Sequence, residues 1–391
     1  MSNERSSNGA GFHPVEYDLH GLAGIRLLNA TPADSTVVDR QIGPIRATLN
    51  REPDIIIRFV DSLSFSSPMR YLGVDDTAFT DDAFVVLRSK HKARARVKIP
   101  FDYIGRQCEI VCERGLPAVP LLIAIINLTV LGKGALPMHA SAFTYNGSGV
   151  LVTGWAKGGK TETVLAFIAN GAEYVGDEWI YISQDGQRMY GIPEPIRIWD
   201  WHLNEMPAYR SQLSRGERLR LKGLNAVVSS MDRLADSTVL RRSAPGRLMR
   251  RMVPILQRQQ YVHLAPQRLF SRAVGPMMSR LDKVFFVASH ELPDITVQPM
   301  NPEAIARRMV FSLQEERADF MSAYLKFRFA FPEARNELIE CAEEIQRDIL
   351  QRALAGKEAY SVYHPYPVSI PALYDAIHPF CKVTRPANVD R

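Results

Sequence analysis

The stretch Gly154-Trp155-Ala156-Lys157-Gly158-Gly159-Lys160-Thr161 fits the pattern G-x-x-x-x-G-K-[ST] at every required position. Residues of these types can wrap a phosphate chain. Glycines let backbone N–H groups converge on anionic oxygens, and the helix that follows presents the positive end of its dipole. In that chemistry Lys160 neutralises the β and γ phosphates of a nucleotide, and the Thr161 hydroxyl is an oxygen ligand for Mg²⁺. The pattern arises by accident in about one chain in a hundred of this length, so its setting decides. It follows VLVT (150–153), which reads as a strand, and opens the segment Thr161 to Asn170, where Val164, Leu165, Phe167 and Ile168 have helical spacing. The bland alternative is a glycine-rich turn with an exposed lysine.

Two acidic residues follow. Asp177 and Glu178 are adjacent in AEYVGDEWIYI (172–182), which reads as one strand, so their side chains point to opposite faces unless the strand ends at Gly176. If it ends there, one carboxylate can approach a metal and the other an acceptor hydroxyl. Upstream, His139 opens the strand that leads to the loop. Alone it reads as a hydrogen-bonded structural histidine before it reads as a catalyst.

Taken together, His139, the loop Gly154 to Thr161 with Glu162 after it, and the run Gly171 to Glu178 resemble the catalytic core of bacterial HPr kinase/phosphorylase. That family places a histidine before a GxxxxGKS-E loop and a strand ending in two acidic residues after the loop's helix. The resemblance is dense over residues 136–185. It implies a phosphoenolpyruvate carboxykinase-like nucleotide-binding core, ATP and Mg²⁺ as ligands, and an assembly larger than a monomer. It also implies roles: His139 beside the transferred phosphoryl group, Lys160 binding it, Thr161 on Mg²⁺, and Asp177 with Glu178 as metal contact and base. The second acid of the family is an aspartate, here Glu178, which leaves open how base and metal roles divide. Trp155 and Lys157 stand where the family prefers small residues, and the first 130 residues do not show its regulatory domain. In PEPIRIWDW, Arg197 is a candidate anion contact and Glu194 a candidate second metal ligand. The chain looks more like the HPr kinase-related proteins found beside peptide-modification and other biosynthetic genes, some of which phosphorylate a peptide serine, than like HPr kinase itself.

The elements that must position these groups can be read as follows. AFTY (142–145) and VLVT form a hairpin over Asn146-Gly147-Ser148-Gly149, Gly171 closes the loop's helix, and Asp185-Gly186 turns the chain after the acidic strand. Before the loop, IIIRFV (55–60), AFVVLR (83–88) and ARVKIPF (95–101) are strand-like. LPAVPLLIAIINLTVL (116–131) reads as a buried core helix, since about 16 residues with two prolines fall short of the roughly 20 a bilayer span needs. Beyond the loop, DKVFFVASHE (282–291) is a strand, Pro302 to Arg317 and Pro332 to Leu354 are amphipathic helices, and Tyr360 to Ile377 is an extended segment followed by a helix opening near Pro371. His364 and His378 there read as packing residues. The expected organisation is a polar tail (1–12), a strand-rich N-terminal region (13–115) and an ATP-binding kinase domain (116–385), of α/β or α+β class.

Composition narrows the class. The 391 residues carry 48 Lys+Arg against 42 Asp+Glu, and 46% are apolar, which is ordinary for a globular protein of about two domains. Four cysteines without a disulfide framework, and an N-terminus without a secretory layout, point to a reducing, cytoplasmic setting. Residues 210–283 hold 16 Lys/Arg and four acids, a local net of +12. Such a segment suits an acidic peptide or a small anionic acceptor, and equally a set of solvated helix faces. The leading expectation is an ATP- and Mg²⁺-dependent kinase acting on a hydroxyl, that of serine, in a peptide or protein, with a biosynthetic precursor peptide as one candidate. A small-molecule hydroxyl kinase is one alternative. Another is a nucleotide-binding regulatory protein contacting nucleic acid, which the lack of aromatic interleaving or a helix-turn-helix pattern disfavours.

Overall fold

The computed structural model describes residues 14–73, 76–88, 94–236 and 244–382 of a mixed α/β molecule built on two large sheets. The tail at 1–12 and Arg241 and Arg242 of the basic segment lie outside the described residues.

The first sheet uses β1 (Val15–Leu19), β2 (Ala23–Leu28), β3 (Ile55–Val60), β4 (Arg70–Leu72), β5 (Thr77–Phe79), β6 (Phe84–Arg88), β7 (Arg94–Lys98) and β8 (Cys108–Glu113), with helix α1 (Pro32–Ile42) between β2 and β3. Its order is β1-β2-β3-β8-β7-β6-β5-β4. In β3 the buried Ile55, Ile57 and Phe59 alternate with half-buried neighbours, the period of a strand with one face on the core. Helix α2 (Leu122–Gly132) follows. It starts later than the apolar run suggested, because Pro117 and Pro120 interrupt the helical backbone and Leu121 turns through φ 60° just before the first turn.

The second sheet carries the phosphate loop. Its strands are β9 (Leu136–Tyr145), β10 (Ser148–Thr153), β11 (Glu173–Gly176), β12 (Trp179–Ile182), β13 (Arg188–Gly191), β16 (Met278–Arg280), β17 (Lys283–Ser289), β18 (Thr296–Pro299) and β19 (Glu358–His364), while β14 (Ile196–Trp199) and β15 (Tyr261–Leu264) pair separately. The order is β16-β13-β12-β9-β10-β17-β19-β18, with β11 also on β9. The β9–β10 turn is two residues, Asn146 and Gly147, both at positive φ as a type I′ turn requires, so Ser148 and Gly149 belong to the strand rather than to the expected four-residue turn. Strands β10, β17 and β19 run parallel. Their carboxyl ends therefore meet at one edge, where open α/β sheets bind ligands.

Helix α3 (Lys160–Ile168) follows the loop, α4 (Asp200–Glu205) follows β14, and the basic segment forms the helices α5 (Arg215–Asp236), α6 (Ala244–Gln257) and α7 (Pro266–Phe270). Helix α8 (Pro302–Ala330) runs well past Arg317, and the next expected helix is two pieces, α9 (Glu337–Glu340) and α10 (Ala342–Leu354). The amide of Asn336 accepts from the N–H of Ile339 at the start of α9 and donates to the carbonyls of Phe101 (2.9 Å) and Ile104 (2.8 Å), which pins this corner to the first sheet. The last helix is α11 (Ile370–Ile377). One buried apolar cluster runs from Tyr17 and Ile57 through Ile126 and Met138 to Phe320, so the two sheets share a core. A second cluster, with Phe143, Phe167, Val287 and Leu373, supports α3 from beneath.

Candidate functional site

The loop 154–159 joins β10 to α3. Its glycines are required by contact. A Cβ on Gly154 would lie 2.2 Å from the Val287 carbonyl oxygen, and one on Gly159, at φ 104°, would lie 2.2 Å from Nε2 of His364. Lys160 is buried and its Nζ donates to the Trp155 carbonyl at 3.0 Å. Burial lowers the affinity of that amine for its proton, while the carboxylates of Glu178, Asp177, Glu316 and Glu162 act in the opposite direction. Trp155, Ala156 and Lys157 form the exposed crest of the loop.

Asp177 and Glu178 do not sit within one strand. A bulge at Tyr174–Gly176 ends the β11 register, Glu178 takes φ 71°, and β12 begins at Trp179. The break corrects the single-strand reading and turns Asp177 to the first turn of α3 and Glu178 to His139 on β9. Asp177 Oδ2 accepts from the Thr161 hydroxyl at 3.0 Å. Glu178 Oε2 lies 3.2 Å from His139 Nε2, and Glu316 Oε1, on α8, lies 2.8 Å from His139 Nδ1. Buried Glu194 accepts from the Trp179 N–H at 3.1 Å.

The electrostatics divide these acids. Burial, then the neighbouring charge of Glu178, pushes the Asp177 carboxyl up to about 7. Glu194 is raised well above the ordinary carboxylate range by burial and by the charges of Glu178 and Asp177. Burial also works to raise Glu178, but the hydrogen bond and charge of His139, aided by Lys160 and Arg197, hold it below its ordinary value. For His139 the desolvation is outweighed by Glu178 and Glu316, which hold the imidazole above its ordinary value and favour the imidazolium.

Two of the expected residues have other partners. Glu162 lies on the buried side of α3 with Oε1 3.0 Å from His202 Nε2. The Trp199 N–H donates to His202 Nδ1 at 3.3 Å, so Nε2 carries the proton that faces Glu162. Arg197 is exposed on β14, its guanidinium over the Tyr261 ring at 4.8 Å. Glu316, His364 and His202 were not expected at the site. His364 is fully buried, its Nε2 2.9 Å from the Gly158 carbonyl oxygen, so it walls the loop rather than merely packing.

No family model matches this chain, and no curated protein sequence matches it. Among the described residues no group of three or more His, Cys, Asp and Glu side chains is arranged to hold a metal by itself. The Thr161 hydroxyl and the Asp177 carboxylate nevertheless offer two hard oxygen donors side by side. That donor set suits Mg²⁺, which is usually held by one or two protein oxygens, substrate phosphates and water. No helix among the described residues is long and apolar enough to cross a membrane, and all four cysteines are free.

Proposed function

We propose that the chain is an ATP- and Mg²⁺-dependent kinase that transfers the γ-phosphoryl group to a hydroxyl, with serine in a peptide or protein as the acceptor. A phosphoenolpyruvate carboxykinase-like core, a cytoplasmic setting and self-association belong to the same reading. The observation that carries it is convergence: Lys160, the Thr161–Asp177 pair and the Glu178–His139–Glu316 chain meet around one glycine loop at the carboxyl ends of parallel strands.

Phosphoryl transfer spreads charge over the γ-phosphoryl oxygens, so it demands positioning and electrostatic stabilisation more than covalent chemistry. Backbone N–H groups of residues 154–161 bind the phosphates, and Lys160 turns from the Trp155 carbonyl to the γ-phosphoryl oxygens. Thr161 and Asp177 would hold Mg²⁺, which when bound would supply positive charge to offset that of the phosphates. Glu178, more exposed than Asp177 and kept ionised by His139, takes the proton of the attacking hydroxyl. The imidazolium of His139, ion-paired with Glu316 at 2.8 Å, adds positive charge beside the transferred group.

The test is transfer of labelled γ-phosphate from ATP to a serine peptide library, read by mass spectrometry, in wild type and Glu178→Gln. Transfer is expected only in wild type, with ATP binding retained in the variant. Equal transfer by both removes Glu178 as the base.

A further inference from the structure

A cavity of about 740 Å³ lies between the first sheet, α2 and α8. This is within the roughly 300–1,000 Å³ typical of small-ligand sites. Its wall is predominantly apolar, formed by Leu121, Ala124 and Leu128 of the α2 side and Phe320 and Ala323 of α8. At one end the Asp76–Lys326 pair is open to solvent. At the other end stand Pro137, Trp179 and Glu316. These three adjoin the candidate catalytic histidine. Glu316 is 2.8 Å from His139 Nδ1, the Trp179 ring lies 5.9 Å from the imidazole between centroids, and Pro137 shares the His139 face of β9. The cavity therefore ends on three neighbours of His139, one residue removed from the histidine that pairs with Glu178.

Two further features mark the cavity as a built site. Leu121 holds a left-handed backbone conformation, φ 60°, at its lining, a conformation costly for a branched side chain and concentrated at functional sites. The guanidinium of Arg317 is turned to the same lining and fixed by Gln346 Oε1 at 2.7 Å.

We propose that this cavity binds the acceptor, and that the acceptor is a hydroxyl carried on an apolar body. This rests on the kinase reading and deepens it. The basic segment suits an acidic acceptor, whereas the cavity wall as a whole is predominantly apolar and carries Glu316 at the end nearest His139. The acceptor lies along α2 and α8 with its hydroxyl at the Trp179–Glu316 end. Its oxygen forms a bond to the γ-phosphorus as the bond from that phosphorus to the β,γ-bridging oxygen breaks. ADP leaves with that electron pair, and the hydroxyl proton passes to Glu178.

Two sources supply such a hydroxyl, an apolar peptide and a lipid-like alcohol, so the probes are acetyl-Leu-Ser-Leu-amide, 1-octanol and the acidic control acetyl-Asp-Ser-Asp-amide. Binding of each to the full chain is measured by calorimetry, and phosphate transfer by mass spectrometry. The wild type is expected to favour one of the apolar probes over the acidic peptide by about tenfold or more in kcat/KM. Filling the cavity with Ala323→Phe, or more mildly Ala323→Leu, is expected to weaken apolar binding by about tenfold while ATP affinity stays unchanged. Absence of apolar binding by wild type, preference for the acidic peptide, or unchanged binding in a folded cavity-filled variant would each overturn the proposal. Loss of ATP binding in wild type would instead overturn the kinase reading, and leaves the apolar-binding arm readable by itself.

Discussion

Replacing Asp177 by Asn should stabilise the nucleotide-free protein at alkaline pH while removing phosphate transfer. Asp177 is 2% exposed and its carboxyl is pushed from 3.8 up to about 7 by burial and then by the charge of Glu178. That rise corresponds to about 4 kcal/mol against the charged form. Because the folded value lies above the unfolded one, the contribution to stability is intact below 3.8, declines by about 1.4 kcal/mol per pH unit, and is fully lost above about 7. The Asn amide carries no such penalty, although its extra N–H donors need partners and cost about 1–3 kcal/mol at any pH. Comparing the variant with wild type at two pH values cancels that constant. Between about pH 5.5 and about pH 8.5 the advantage of the variant should grow by about 2 kcal/mol, a shift of a few degrees in relative melting temperature. Differential scanning calorimetry in chelator, without nucleotide, reads it directly. A melting difference that is the same at both pH values would refute the idea that the surroundings of Asp177 disfavour its charged form.

Gly159→Ala places a Cβ 2.2 Å from His364 Nε2 at a left-handed φ, so ATP affinity measured by calorimetry should fall by about tenfold or more. His202→Ala leaves Glu162 buried without its partner, and should cost about 3–5 kcal/mol in denaturant unfolding at neutral pH. The His139 imidazole is held above its ordinary value, so its charge is present at lower pH and lost as pH rises through that raised value. The transfer rate should therefore fall along an alkaline limb above the ordinary histidine range, and His139→Gln should abolish that limb in a pH–rate profile.

What could be read from sequence was local. The hairpin, loop and helix from 142 to 170 are contiguous, and strand alternation followed by glycines and a helical apolar stripe carries its own signal. The same is true of β3 and β6, whose alternation is visible without knowing their neighbours. Pairing is another matter. That β3 lies parallel to both β2 and β8 leaves no mark in composition. The break at Asp177–Glu178 was hidden because β9 pairs with β11 over its second half and with β12 over its first, a division made by the long strand rather than by the short ones. Glu316 and His364 reach the site from α8 and β19, far along the chain. Only the packing of α8 against β9 and of β19 against β17 makes them neighbours of His139 and Gly158. For Glu162, adjacency to the loop suggested a nucleotide role, yet the helical turn carries it to His202.

The most direct test is calorimetric titration of ATP with Mg²⁺ into wild type and Lys160→Ala. Saturable binding by wild type, weakened by about a hundredfold or more in the variant, is the expected result. Absence of binding by wild type, or equal binding by both proteins, would contradict the assignment of residues 154–161 as a nucleotide phosphate site.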